Sequence, residues 1–182
     1  MKKAIGMVEF KTVSSGMRAA DIMVKTAEVD IIQADTVCPG KFLALISGDL
    51  SAVKASVEAA CALDPEQLID RFVLGNPHES IFGALYGSNE IGNPNALGVL
   101  ETFSAAAAIV AADNAAKTAM VDLIELRLAR GMCGKSYLLL TGEVAAVEAA
   151  IDRAKLTAGE VGMFLDSAVI PRPDEKLWQK IL

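Results

Sequence analysis

The chain repeats itself. Ala4-Ile5-Gly6-Met7-Val8-Glu9 returns as Ala96-Leu97-Gly98-Val99-Leu100-Glu101, and Lys25-Thr26-Ala27 returns as Lys117-Thr118-Ala119. The shift is 92 positions in both cases (from 4 to 96 and from 25 to 117), and Ala19-Ala20-Asp21 against Ala111-Ala112-Asp113 keeps it. It then becomes 94, where Gly40-Lys41 meets Gly134-Lys135, so the second copy carries two extra residues in one loop. Beyond the slip, Ser47-Gly48-Asp49 matches Thr141-Gly142-Glu143, and Val73-Leu74 with Pro77 matches Val169-Ile170 with Pro173. A register held this long means two tandem copies of one domain.

Each copy predicts the same order of elements. Ile5–Phe10 alternates and reads as a strand. Gly16–Glu28 places Met17, Ala20, Val24 and Ala27 at helical spacing. Val29–Val37 and Phe42–Ile46 read as strands joined by a Pro-Gly turn. Asp49 is placed to N-cap a helix over Ser51–Leu63, Asp64-Pro65 opens a short turn, and Asp70–Leu74 is the last strand. The order βαββαβ is the split βαβ, ferredoxin-like arrangement: an α+β sandwich with an antiparallel sheet and two helices on one face. The second copy repeats it from Leu97 to Ile170, and the tail from Pro171 to Leu182 ends in a short helix. The expected domains are 1–82 and 96–182, with the Gly- and Asn-rich segment 83–95 as linker.

The inventory excludes several functions. A net charge of −6 argues against nucleic acid as a partner. No apolar run is long enough to span a membrane, and Met1-Lys2-Lys3 leads into a strand rather than a signal-peptide core, which predicts a cytoplasmic protein. There is one histidine, His78, so a histidine triad or a multi-histidine zinc site within one chain is nearly excluded. With no carboxylate cluster either, the chain is not expected to be an enzyme. Three cysteines (Cys38, Cys61, Cys133) without a secretion signal do not form a disulfide framework. Gly134-Lys135-Ser136 ends like a phosphate-binding loop, but the glycine such a loop needs five positions earlier is Ala129.

Cys38 sits at the join of two strands, in Thr36-Val37-Cys38-Pro39-Gly40-Lys41-Phe42. Pro39 fixes its own φ and Gly40 tolerates the positive φ of a tight turn, so the thiol is held at the tip or shoulder of a short loop. For an isolated domain the ordinary reading is a small apolar loop residue in a reduced compartment. Cys61, among alanines on a helix, reads as buried packing. His78 reads as a surface residue whose counterpart is Asp174, and Trp178 as the residue that packs the tail down.

Taken together, the doubled Ala-Ile-Gly opening, the Lys-Thr-Ala echo, Cys38-Pro39-Gly40-Lys41-Phe42, Gly131-Met132-Cys133-Gly134-Lys135 and the ending Val169-Ile170-Pro171-Arg172-Pro173 resemble bacterial microcompartment shell proteins. The resemblance covers nearly the whole chain and is to the tandem-domain trimeric class, in particular its iron–sulfur-binding members. It implies two BMC domains per chain and a homotrimer shaped as a pseudohexameric tile. Its partners would be neighbouring hexameric and trimeric shell proteins, with lumen redox enzymes as further candidates, and its place the microcompartment shell.

The resemblance also assigns roles. The loops between the second and third strands would line a central pore, here Val37, Pro39 and Gly40 with Cys38 in the first repeat and Arg130, Gly131, Met132, Cys133 and Gly134 in the second. Three symmetry-related Cys38 thiolates would hold one [4Fe–4S] cluster per trimer, leaving one iron to an exogenous ligand. Zinc on three thiolates and water is the less favoured alternative. Cys133 reads as a small residue in a Gly-rich loop, with a supplementary thiol ring as the other reading. Lys25, Lys117 and Arg172 would make tile-edge contacts; Asn76 replaces the arginine in the first repeat, so six equal edges are not expected. For the cluster, the implied role is electron transfer across the shell or delivery to lumen enzymes. The alternative is a tile whose pore conducts small metabolites or cofactors, and a third reading is a stand-alone binding regulator on a ferredoxin-like fold.

Overall fold

The computed structural model describes residues 4–92 and 94–182; the Met1-Lys2-Lys3 lead-in and Asn93 of the 83–95 segment lie outside the described residues. The first repeat runs β1 (Ala4–Phe10), α1 (Val13–Thr26), β2 (Val29–Val37), β3 (Lys41–Gly48), α2 (Leu50–Leu63) and β4 (Leu68–Leu74). Its sheet has the order β2-β3-β1-β4 with every neighbour antiparallel, the ferredoxin-like topology. After α3 (Ser80–Tyr86), the second repeat supplies β5 (Ala96–Thr102), α4 (Ala105–Thr118), β6 (Asp122–Arg127), β7 (Ser136–Gly142), α5 (Val144–Glu160) and β8 (Phe164–Ile170), in sheet order β6-β7-β5-β8. A last helix, α6, spans Glu175–Ile181. Two tandem α+β domains are therefore present.

Helix starts show the repeat at the level of single hydrogen bonds. Thr12 precedes α1 and accepts the Ser15 N–H at 3.4 Å; Ser104 precedes α4 and accepts the Ala107 N–H at 3.2 Å. Such caps satisfy a donor that the first helical turn leaves open. Because Thr12 caps it, α1 begins three residues before the expected Gly16. Asp49 occupies the N-cap position of α2, and Glu143 that of α5, but neither side chain makes a capping bond. The expected cap position of Asp49 is therefore found, without the side-chain bond that a cap would make.

The glycines opening the two repeats have a packing reason. A Cβ on Gly6 would lie 2.6 Å from Val53 and 2.7 Å from Val57 of α2, and one on Gly98 would lie 2.9 Å from both Val147 and Ile151 of α5. Each central strand thus lets its helix approach closely. Beneath α1, Gly16 leaves room for Phe42, whose Cβ lies 2.4 Å from where a Gly16 Cβ would be. The second repeat makes a compensated exchange: Ala108 stands for Gly16 and the buried Ser136 for Phe42. Volume added on the helix is removed from the strand, the kind of exchange a close-packed interior tolerates. Val8, Phe10, Ala44, Ile46, Met23, Val53 and Val57 form the core of the first unit. In the second, Leu97, Ile124 and Trp178 make a separate cluster that anchors α6.

The chain divides into compact units at Pro77/His78, with α3 in the second. This differs from the expected boundaries at 82 and 95, because residues 83–86 are helical and Ile81 and Ala84 of α3 are fully buried. Gly83 and Asn89, which read as linker composition, are a packing pair: a Cβ on Gly83 would fall 1.8 Å from Asn89 Oδ1. Asn89 Nδ2 in turn donates to Ser80 O and Leu123 O, both at 2.8 Å.

Candidate functional site: two unequal strand-connecting loops

In the first unit β2 and β3 stay paired to their ends, Val37 opposite Lys41, so only Cys38, Pro39 and Gly40 form the turn. The turn closes with the Gly40 N–H on Val37 O at 2.9 Å, and Gly40 has φ +95°, the conformation for which glycine was expected there. Val37 is buried, Cys38 half-buried with a free thiol, and Pro39 and Gly40 are exposed. A three-residue turn on two paired strands fixes the Cys38 backbone firmly.

The corresponding loop of the second unit is built differently. Pairing of β6 and β7 stops at Arg127 opposite Tyr137, and Ala129, Gly131, Cys133 and Gly134 all have positive φ (52°, 74°, 54° and 87°). Alanine and cysteine rarely adopt this region. The loop is held by the Ala129 N–H on Ser136 Oγ at 3.0 Å, the buried serine that replaces Phe42, and by the Lys135 N–H on Met132 O at 3.1 Å. Arg130, Gly131 and Cys133 are exposed, Met132 is half-buried and Gly134 buried. Cys133 is thus a free, exposed thiol on a strained loop, whereas Cys61 is buried in α2.

Beneath each loop lies an ion pair that sequence reasoning missed. Lys41 Nζ contacts Glu9 Oε1, and the Glu9 side chain is 4% exposed. The register-equivalent pair, Lys135 Nζ and Glu101 Oε2, is looser at 3.8 Å and one-third to two-fifths exposed. The signal was present, since both glutamates and both lysines recur in the repeat.

Just past the second loop, Tyr137 Oη donates to Glu125 Oε2 at 2.5 Å, and Arg127 donates to Glu125 Oε1 through Nη2 (2.7 Å) and Nε (3.0 Å). The Arg127 guanidinium also lies 5.3 Å from the Tyr137 ring centroid. The first repeat has Gln33, Asp35 and Leu43 at these places, so the network has no counterpart there. Burial, then the hydrogen bond and charge of Glu125, push the Tyr137 hydroxyl up to about 12. Because the folded protein holds this proton more tightly than an unfolded chain, whose tyrosines ionise near 10, the associated stability is complete below that pH. It is lost as pH rises through about 12. Alkaline titration at 295 nm should show a late tyrosinate phase that Tyr137→Phe abolishes; a single phase near the ordinary value would contradict it.

Of the residues expected at a tile edge, Lys25 and Lys117 sit in the last turns of α1 and α4, and Arg172 in the connection between β8 and α6. Lys25 pairs with Asp21 at 2.6 Å, both well exposed, and Lys117 pairs with Asp113 at 2.6 Å. Asp113 is buried because its other oxygen accepts the His78 N–H at 2.7 Å. His78 is half-buried, its Nδ1 2.7 Å from Ser80 Oγ. Arg172 is exposed beside Trp178, which is 7% exposed. No helix among the described residues is long and apolar enough to cross a membrane. Within one chain, the described residues contain no group of three or more His, Cys, Asp or Glu side chains arranged to hold a metal. Any site using Cys38 would need donors from other copies.

Comparison with known proteins matches the BMC domain twice, at residues 4–77 and 96–173. Over 182 residues the chain is 39% identical to the bacterial microcompartment shell protein PduT of Citrobacter freundii, covering 100% of this chain and 99% of that one. It is 27% identical over 191 residues to the carboxysome assembly protein CcmO of Synechococcus elongatus, covering 98% of this chain and 68% of the other. A crystal structure of a microcompartment protein from Desulfitobacterium hafniense superposes with a TM-score of 0.94 at 43% identity, covering 98% of this chain and 99% of that one.

Proposed function

The chain belongs to the BMC-domain family and is a structural shell protein of a bacterial microcompartment, and from that premise we propose that it forms a homotrimeric, pseudohexameric tile whose central pore holds an iron–sulfur cluster. Three chains bring six similar domains into a ring. Lys25, Lys117 and Arg172 serve its outer edge, toward neighbouring hexameric and trimeric shell proteins. The strand-connecting loops, residues 37–40 and 130–134, line the pore.

The observation that carries the cluster reading is the inequality of these loops. Only the first repeat places a half-buried free thiol, Cys38, on a short turn between two strands that stay paired up to it. Three-fold symmetry then gives three thiols rather than six. The donor set fits a [4Fe–4S] cluster, whose usual ligands are thiolates, with one coordination position left to an exogenous ligand. When bound, such a group supplies one-electron redox chemistry. The chain's own part is positional: the turn holds the Cys38 sulfur, and the buried Glu9–Lys41 pair beneath it stiffens the strand ends. The tile would then pass electrons across the shell or deliver a cluster to redox enzymes in the lumen. Zinc on the same thiolates remains the chemical competitor, distinguished by metal and sulfide analysis.

The assembly itself is tested by sedimentation equilibrium. Three times the 19.1 kDa chain mass is expected. A monomer at all accessible concentrations would overturn the tile and favour a stand-alone binding protein.

A further inference from the structure

Helix α3 sits at the end of the first repeat in sequence, yet it packs along β6 in the second unit. Three observations define its seat. Ile81 and Ala84 are fully buried; Asn89 Nδ2 bridges Ser80 O and Leu123 O at 2.8 Å each; and the His78 N–H donates to Asp113 Oδ1 at 2.7 Å, burying that carboxylate. Leu123 is itself fully buried.

The second repeat has the same helix. The shift of 96 that pairs Leu74 with Ile170 continues through Pro77 and Pro173, and Glu79 and Glu175. The first turns match in hydrogen bonding: Ile81 N–H to His78 O, and Leu177 N–H to Asp174 O. α6 is thus the counterpart of α3, but its exposures are inverted. Leu177, in the place of the buried Ile81, is 40% exposed. On the receiving side Ile31, in the place of the buried Leu123, is 44% exposed. Asp21, in the place of the buried Asp113, has a side chain 57% exposed and pairs with Lys25. With Trp178 holding one face of α6 to its own unit, Leu177 on the donor helix, Ile31 on the receiving strand and the Asp21 carboxylate are all exposed in one chain, and each is the partner of another in the pattern that α3 and β6 display.

We propose that α6 of one protomer seats on the β2 edge of a second copy of this chain, as α3 seats on β6. Leu177 packs beside Ile31 of the partner subunit, and the Asp174 N–H donates to the partner's Asp21. The seat rests on the trimer reading above and names its contact: one apolar residue and one backbone-to-carboxylate bond per junction. A seated α6 removes the exposed apolar positions of both elements, and covers an edge strand that would otherwise invite unspecific pairing.

Proximity of Ser80 and Leu123 gives the crosslinking pair, Lys176 and Ile31. In chains carrying Cys38→Ser and Cys133→Ser, Ile31→Cys is introduced into one and Lys176→Cys into another of different tag length, and the two are co-expressed in full length. A short thiol crosslinker should give a mixed dimer, and neither variant alone should give one. Assembly at the mass of three chains without any mixed dimer overturns the seat and leaves the trimer standing; the mass of a single chain instead refutes the trimer. As an independent readout, Leu177→Asp should raise the concentration at which the wild-type assembly dissociates by about ten-fold or more, the effect of removing one buried leucine from a junction. An unchanged dissociation concentration contradicts the proposal.

Discussion

Cys38→Ser protein prepared without oxygen should be colourless, lacking iron, sulfide and the broad visible absorption of a thiolate-bound cluster, while keeping the mass of the wild-type assembly. The hydroxyl is a poor ligand for iron at neutral pH, and each substitution removes all three donors at once because every chain supplies one. Folding should be nearly untouched. Cys38 is half-buried at a turn and is not among the buried core residues of its unit, where large mutational effects arise. Cys133→Ser is the matched control. It is exposed on the longer loop of the second repeat, and its removal should leave colour and metal content unchanged. If Cys133→Ser bleaches the protein as Cys38→Ser does, the ligand set is not the one proposed.

Lys41→Met should destabilise the chain by about 3–5 kcal/mol, the usual cost of stranding a buried charge by removing its partner. Glu9 is 3% exposed, and the Lys41 ammonium lies directly against its Oε1. Methionine preserves the aliphatic stem and deletes only the charge. The repeat provides an internal comparison: Lys135→Met at the equivalent place should cost less than about 1 kcal/mol, because that pair is solvent-screened. The pair is longer, at 3.8 Å, and its glutamate is one-third exposed. Urea unfolding of the two variants measures the difference directly. Equal effects would mean that the buried pair is no more important than the exposed one. Glu9→Gln combined with Lys41→Met should recover part of the loss, since no uncompensated charge then remains.

Much of the fold was legible because the chain states it twice. Glycines at the same place in both openings and a register interrupted only by short slips made element order and topology legible, whereas the alternation expected of the first strand is absent, all seven residues of β1 being buried. What escaped was of three kinds. Helix α3 was hidden by composition, because Gly83 and Asn89 look like loop residues until Asn89 is seen lying over Gly83. The Glu9–Lys41 and Glu101–Lys135 pairs join residues far apart in sequence, and only the strand register of β1 with β3 and β5 with β7 shows that they meet. The left-handed backbone at Ala129 and Cys133 could not be read from residue type at all, since neither favours it. At the site itself, the turn geometry around Gly40 was readable from Pro39-Gly40, but the full pairing that makes the turn rigid was not.

Iron and acid-labile sulfide in wild-type protein purified anaerobically, counted against chains, test the central claim most directly. The account predicts four irons and four sulfides for every three chains, on an assembly of that size. Protein carrying one zinc per three chains and no sulfide, or no metal at all after anaerobic purification, would contradict it.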